Sequence, residues 1–322
     1  MVRATQLWTL VALGALALVC LVASLLAGSA HLSVGHALAA LGGGGDELSA
    51  TIVRTIRLPR TISAFAVGSL LGLAGVLLQA LFRNPLADPF VLGVSGGASV
   101  GALAGMLAGL SLGALEWTAT GGALAIGALV YWMGSGGDSG RLLLSGVVLA
   151  SACGAVISVL LAIADNGQLR GMVFWLAGDL GWAQHPWFDL ATAGVALLSA
   201  FVGGRALNVL AAGELRSVIL GLDAGIARPV VFVIAAALTS LAVLAAGPVG
   251  FVGLVAPHLV RLALGTSDHR LVAPGAALCG GALLCLADIA SRTIAAPRQL
   301  PVGAITALIG APVFLLLLRR RR

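Results

Sequence analysis

The residues best able to do chemistry in this 322-residue chain are arginines. Arg54, Arg57 and Arg60 stand three apart in IVRTIRLPRTISAFAVG, residues 52–68, with Pro59 among them. A guanidinium stays protonated and offers five donors in a planar fork, so such a cluster holds anions rather than exchanging protons. All eighteen basic residues are arginine. A phosphate-cradling P-loop ends in Gly-Lys-Ser/Thr. A chain without lysine cannot contain one, so any ATP driving its work is bound by a partner. His31, His36, His185 and His269 lie in loops without metal-ligand spacing, and neither HExxH nor a nucleophile–base pair is present. Cys20, Cys153, Cys279 and Cys285 lie in apolar runs with no CxxC pair, and read as small buried hydrophobes. No catalytic residue, metal site or nucleic-acid partner is expected.

The elements that position the arginines lie in a bilayer. Hydrophobic residues make up 60% of the chain and charged ones 9%, against about 25% charged in soluble domains. Apolar runs predict spans at 7–28, 61–82, 93–112, 118–133, 142–164, 189–204, 229–246, 249–264, 271–290 and 302–318. The expected fold is all-α, about ten transmembrane helices in one domain over 1–322. The first run exceeds the apolar region of a signal peptide and reads as a retained helix. Gly247-Pro248 is expected to turn tightly at the surface. Gly68, Gly72 and Gly75, and the four-residue repeat Gly97, Gly101, Gly105 and Gly109, predict close helix packing.

Basic residues favour cytoplasmic loops. Arg319 to Arg322 then place the C-terminus inside, and an even number of spans places Arg3 there too. Arg83, Arg141, Arg205, Arg216, Arg228, Arg261 and Arg270 also fall inside, making twelve, while Arg54, Arg57, Arg60, Arg170, Arg292 and Arg298 are the six outside. Gln79, His258 and Asp288 are the few polar groups within spans, all near predicted ends. A proton-coupled secondary transporter usually carries a carboxylate near the midplane, which lowers that alternative. Pro85 and Pro89 interrupt LFRNPLADPFVLGVSGGASVG, residues 81–101, where irregular backbone must be buried in protein or line a wet cavity. In LNVLAAGELRSVILGLDAGIARP, residues 207–229, Leu210, Leu215, Val218, Ile219 and Leu222 predict a short amphipathic helix bounded by Gly213 and Gly221. It either lies on lipid or docks into a partner's groove.

Six motifs occur in a fixed order: RLPRTISAFAVG, GVLLQALFRNPLADPFVLGVSGGASVGA, RLLLSGVVLAS, GPVGFVGLVAPHLVR, HRLVAPGAALCGGALLCLADIASR and LPVGAITALIGAPVFLLLL. From about residue 50 to the end the chain resembles the FecCD-type permeases, membrane subunits of type II ABC importers for iron–siderophores, haem and vitamin B12. The resemblance implies a homodimer or paralogous pair in a bacterial inner membrane, both termini cytoplasmic, with the pore on the two-fold axis. It implies an ATPase dimer below, which binds ATP and Mg, and a periplasmic binding protein above. It also implies an inverted relation between helices 2–5 and 7–10. Arg57, Arg60 and Arg292 resemble the groups that receive glutamates of the binding protein, with Arg54 adding to the field; interfacial snorkelling is the alternative. Asn84 and Leu86 resemble one cytoplasmic gate, Ser139 and Gly140 the other. Gly213, Glu214, Leu215, Arg216, Ser217, Val218, Leu220 and Gly221 resemble the ATPase-coupling helix, placed at about 208–222. Import of an iron(III) siderophore is the leading expectation, with haem or cobalamin as the alternative cargo. A membrane scaffold is a further alternative.

Overall fold

A computed structural model describes residues 4–28, 34–42, 44, 46–134 and 139–319. α1 (Ala4–Leu26), α2 (Val34–Leu41) and α3 (Glu47–Thr51) lead through a π turn (Ile52–Arg57) into α4 (Leu58–Phe82). A 3-10 turn (Pro89–Leu92) precedes α5 (Val94–Leu107), α6 (Leu112–Gly134), α7 (Ser139–Ile163) and α8 (Asn166–Leu176). After a second such turn (Leu180–Trp182) come α9 (Pro186–Val202), α10 (Gly204–Ala211), α11 (Glu214–Ile219) and α12 (Ala224–Ala246). The chain ends with α13 (Val252–Leu264), α14 (His269–Thr293) and α15 (Val302–Arg319).

Six helical stretches among the described residues are long and apolar enough to cross a bilayer: α1, α3 through α4, α6, α7, α12 and α14. The bent pair α9–α10 makes a seventh, and three shorter apolar helices, α5, α13 and most of α15, complete the series. The series matches the ten expected spans in order. The second span departs in its start: the helix begins at Glu47 rather than near 61, so the arginines ride on its continuous outer extension. Pro59 explains the π turn. It has no N–H, and its ring crowds the carbonyl four residues back. The preceding turn widens, and Leu58 N–H reaches Val53 O.

α4 is the axis of the bundle, with 94% of its membrane window buried. It packs on α14, α12, α9 and α13. Contact with α14 is backbone to backbone: a Cβ on Gly68 would overlap the Gly280 carbonyl. Lipid gives packed helices no hydrophobic drive, so close approach through small residues holds them. Gly97 meets the Gly122 carbonyl between α5 and α6 in the same way. Gly109 of the expected four-residue repeat lies beyond the end of α5, with φ +68°.

The Gly247-Pro248 turn lies inside the protein, not at the surface as expected. Gly247 is buried with φ +65°, and any Cβ would overlap the Trp175 carbonyl. Its neighbours are satisfied by protein, since Asp179 N donates to Ala246 O at 2.9 Å. That is the condition under which irregular backbone persists at membrane depth. α13 starts from this turn within the bundle, Gly253 lying against Gly75 of α4, and is correspondingly short.

Candidate functional site

At the N-terminal end of α4, the end expected to face outward, three of the four expected arginines turn inward. Arg57 is 4% exposed, and its Nη1 donates to Leu25 O at 3.2 Å and Leu26 O at 2.7 Å. Arg292 is 7% exposed; its Nη1 donates to Ala27 O at 2.8 Å and its Nη2 to Ser24 O at 3.0 Å. Between them they take four carbonyls at the C-terminus of α1, where a helix has no acceptor partners of its own and carries partial negative charge. Asp288 is fully buried and binds both sides of the cluster. Its Oδ1 accepts from Arg60 Nε at 2.8 Å, and Arg292 Nη2 lies 2.9 Å from its Oδ2. Arg60, partly exposed, also donates to Gln299 Oε1 at 3.1 Å and lies 3.7 Å from Asp179.

Arg54 is the exposed member, with its Nε donating to Ala40 O at 2.6 Å. Arg57, Arg60 and Arg292 against Asp288 and Asp179 leave one positive charge over, and Arg54 adds to it. Asp288 was legible as a rare polar residue near a span end. Asp179 and Gln299 gave no signal, because their pairing arises only when distant loops meet over α4.

At the opposite end, expected to face inward, α4 stops at Arg83, which adopts φ +49°. Asn84 Oδ1 accepts from Leu86 N at 2.9 Å, folding the NPLADP segment on itself and leaving Leu86 exposed. Buried Gln79 pins this segment: its Nε2 donates to Ala87 O and to Gly253 O, each at 3.4 Å, while Arg261 Nη1 donates to its Oε1. Asp88 caps the following turn by accepting from Phe90 N at 2.8 Å. Burial pushes its carboxyl up to about 6. The other expected gate lies partly outside the description: residues 135–138 and the Ser139 side chain are outside it, and Gly140 is exposed at the start of α7.

The expected coupling helix at 208–222 is two helices, not one. α10 leaves α9 at a 61° bend, and α11 starts after Gly213, whose φ of +107° breaks the path. Buried Ser217 donates to Val209 O at 3.1 Å and Gly213 O at 2.9 Å, folding α11 onto α10. Leu215, Val218, Ile219 and Leu220 are then exposed, with Arg216 beside them and Gly221 closing the turn. The Glu214 side chain lies outside the described residues. α7 is peripheral. Ser151, Gly154, Ala155 and Ser158 are exposed on it, and the Ser151 and Ser158 hydroxyls donate back to Val147 O and Gly154 O at 3.0 Å.

Apolar helices around a buried axis, an ionic cluster at one end, a hydrogen-bonded Gln79–Arg261 set at the other and an exposed apolar helix beside it make a multi-pass membrane subunit. The chain belongs to the FecCD transport family, whose model matches residues 16–320. It is 42% identical over 279 residues to the hemin transport system permease protein HmuU of Yersinia pestis, 83% of each chain. It is 40% identical over 321 residues to the vitamin B12 import system permease protein BtuC of Escherichia coli, 97% of this chain and 95% of the other. Its fold matches an inward-facing metal-chelate type ABC transporter at TM-score 0.86 and 29% identity, covering 98% of this chain and 99% of that one. PsaBC from Streptococcus pneumoniae, at TM-score 0.56 and 15% identity, shares the fold alone. The protein is thus an ABC importer permease of the FecCD type.

Proposed function

We propose that the chain carries an iron(III) siderophore across a bacterial inner membrane, with both termini cytoplasmic and ATP hydrolysed on a partner subunit. The observation that carries the reading is the full-length match to a metal-chelate transporter. The names of the hemin and vitamin B12 permeases support a tetrapyrrole cargo as the second reading. An exposed apolar α11 supports an ATPase partner, since an unburied cluster of this kind marks a protein or membrane contact. The exposed small-residue face of α7 supports a second permease copy, or a paralogue, around a shared pathway. Asn84, Leu86 and Gly140 fall at the pathway's inner mouth in this reading, Ser139 with them by sequence.

The outer cluster supports docking of a periplasmic binding protein through Arg54 and Arg60. Arg57 and Arg292 contribute field from below while holding α1. Exposed pairs of this kind are worth about 0.2–1 kcal/mol each and act more on encounter and orientation. The test is uptake into proteoliposomes holding the permease, its ATPase and its binding protein. Hemin, cyanocobalamin and ferric desferrioxamine B serve as probes. ATP-dependent uptake of the siderophore alone supports the first reading, and uptake of either tetrapyrrole instead supports the second. Uptake indifferent to ATP but abolished by a collapsed proton gradient overturns both.

A further inference from the structure

Among the described residues, α11 reaches the rest of the permease by two routes, α12 and α10. One is covalent, through Leu220, Gly221 and Leu222 into α12. That link is exposed at Leu220 and Gly221, with a φ of +76° at Gly221, and Leu222 N donates to Ser217 O at 2.9 Å. The other is polar and runs through α10. Ser217 ties α11 to Val209. One residue earlier, Asn208 uses both ends of its amide on the start of α14. Its Nδ2 donates to Asp268 Oδ1 at 2.8 Å, and its Oδ1 accepts from His269 N at 2.8 Å. His269 Nδ1 lies 2.6 Å from the same oxygen, so that nitrogen carries the proton.

Asp268 is the N-cap of α14, accepting from Arg270 N at 3.0 Å. Asn208 therefore supplies a second cap from another helix. α14 then runs unbroken for 25 residues, about 37 Å. It is locked to α4 at Gly68 and Gly280, and reaches the Arg60–Asp288–Arg292 cluster at its far end.

We propose that Asn208 is the positioning residue through which displacement of α11 is delivered to α14, and so from the inner end of the permease to the outer cluster. The inference rests on the reading of α11 as the ATPase contact. The two-ended contact of Asn208 with Asp268 and His269 ties any shift of α10 and α11 to the start of α14.

The experiment compares wild type, Asn208→Ala, Asn208→Asp, Asp268→Asn and the Asn208→Asp/Asp268→Asn double in proteoliposomes with the ATPase and binding protein. ATP hydrolysis is measured beside uptake of hemin, cyanocobalamin and ferric desferrioxamine B. Hydrogen exchange at residues 204–219 is followed in the detergent-purified permease. Asn208→Ala should assemble and hydrolyse ATP normally while uptake falls about tenfold, the size of coupling typical of linked sites. Exchange in α10–α11 should rise about fivefold as the local opening cost falls. The double exchanges the amide and the carboxylate across the contact, and should recover most of the uptake that either single loses. Unchanged uptake per ATP in Asn208→Ala, or a double no better than its singles, overturns the proposal. If wild type takes up no probe and hydrolyses no ATP, the importer reading fails instead. The exchange arm then decides the link by itself, and unaltered exchange in Asn208→Ala overturns it.

Discussion

Arg292 holds Asp288, the end of α1 and the outer cluster with a single side chain. Removing it leaves Asp288 buried with Arg60 alone and opens the carbonyls of Ser24 and Ala27. Loss of one partner from a buried pair costs about 3–5 kcal/mol. Arg292→Ala should therefore lower the unfolding midpoint in detergent sharply, whereas Arg54→Ala at an exposed site should shift stability by no more than about 0.5 kcal/mol. Similar midpoints for the two variants would refute the division between holding and docking. Asp88 adds a pH dependence. Its folded pKa, about 6, lies above the ordinary carboxylate value. The protonated form is favoured in the fold, so its stabilising contribution is present at pH below about 4 and is lost as pH rises through about 6. Asn caps as well as Asp. Asp88→Asn should flatten the pH dependence of proteolysis at residues 83–93 over that interval, and a variant as pH-sensitive as wild type would count against it. The three-residue spacing of the arginines was plain in the sequence. The burial of Arg57 was not, because it depends on the unsatisfied end of a helix some thirty residues earlier.

At the scale of elements, the ten apolar runs were legible because a bilayer enforces length and apolarity on each span. Breaks were harder to place. Gly213 was legible as the start of a short helix, and α11 begins just after it, but the wider range of about 208–222 also took in the end of α10, which the positive φ of Gly213 separates. Gly247-Pro248 was read as a surface turn, since the sequence could not show that α8 and the turn after it would cover it. The exposed side of α11 makes its own prediction. Leu215→Ser with Val218→Ser removes apolar area that the permease itself does not bury. The double variant should melt like wild type but retain the ATPase about tenfold less well on copurification, a loss of about 1.4 kcal/mol. Equal recovery of ATPase would return α11 to a lipid-surface role.

Across the whole molecule, α5 and α13 are both short, each follows a Gly/Pro-rich break, and each begins inside the bundle. Paired interruptions in the two halves of a transporter point to its pathway. The proposed second permease copy would then cover the exposed small residues of α7 beside that pathway. Ser151→Cys or Ser158→Cys, in a background with Cys20, Cys153, Cys279 and Cys285 replaced by Ala, should cross-link two permease chains in membranes. Monomer alone after oxidation would place that face in lipid or against a different partner.

The clasp on α1 has a consequence for synthesis. Arg292 reaches the Ala27 carbonyl across 265 positions of chain. The first helix enters the bilayer early, and its end remains open to interfacial water until the ninth span arrives. A nascent chain halted before Ile289 lacks the Arg292 clamp and holds the end of its first helix through Arg57 and Thr61. Completion of the Arg60–Asp288–Arg292 cluster is thereby tied to completion of the chain.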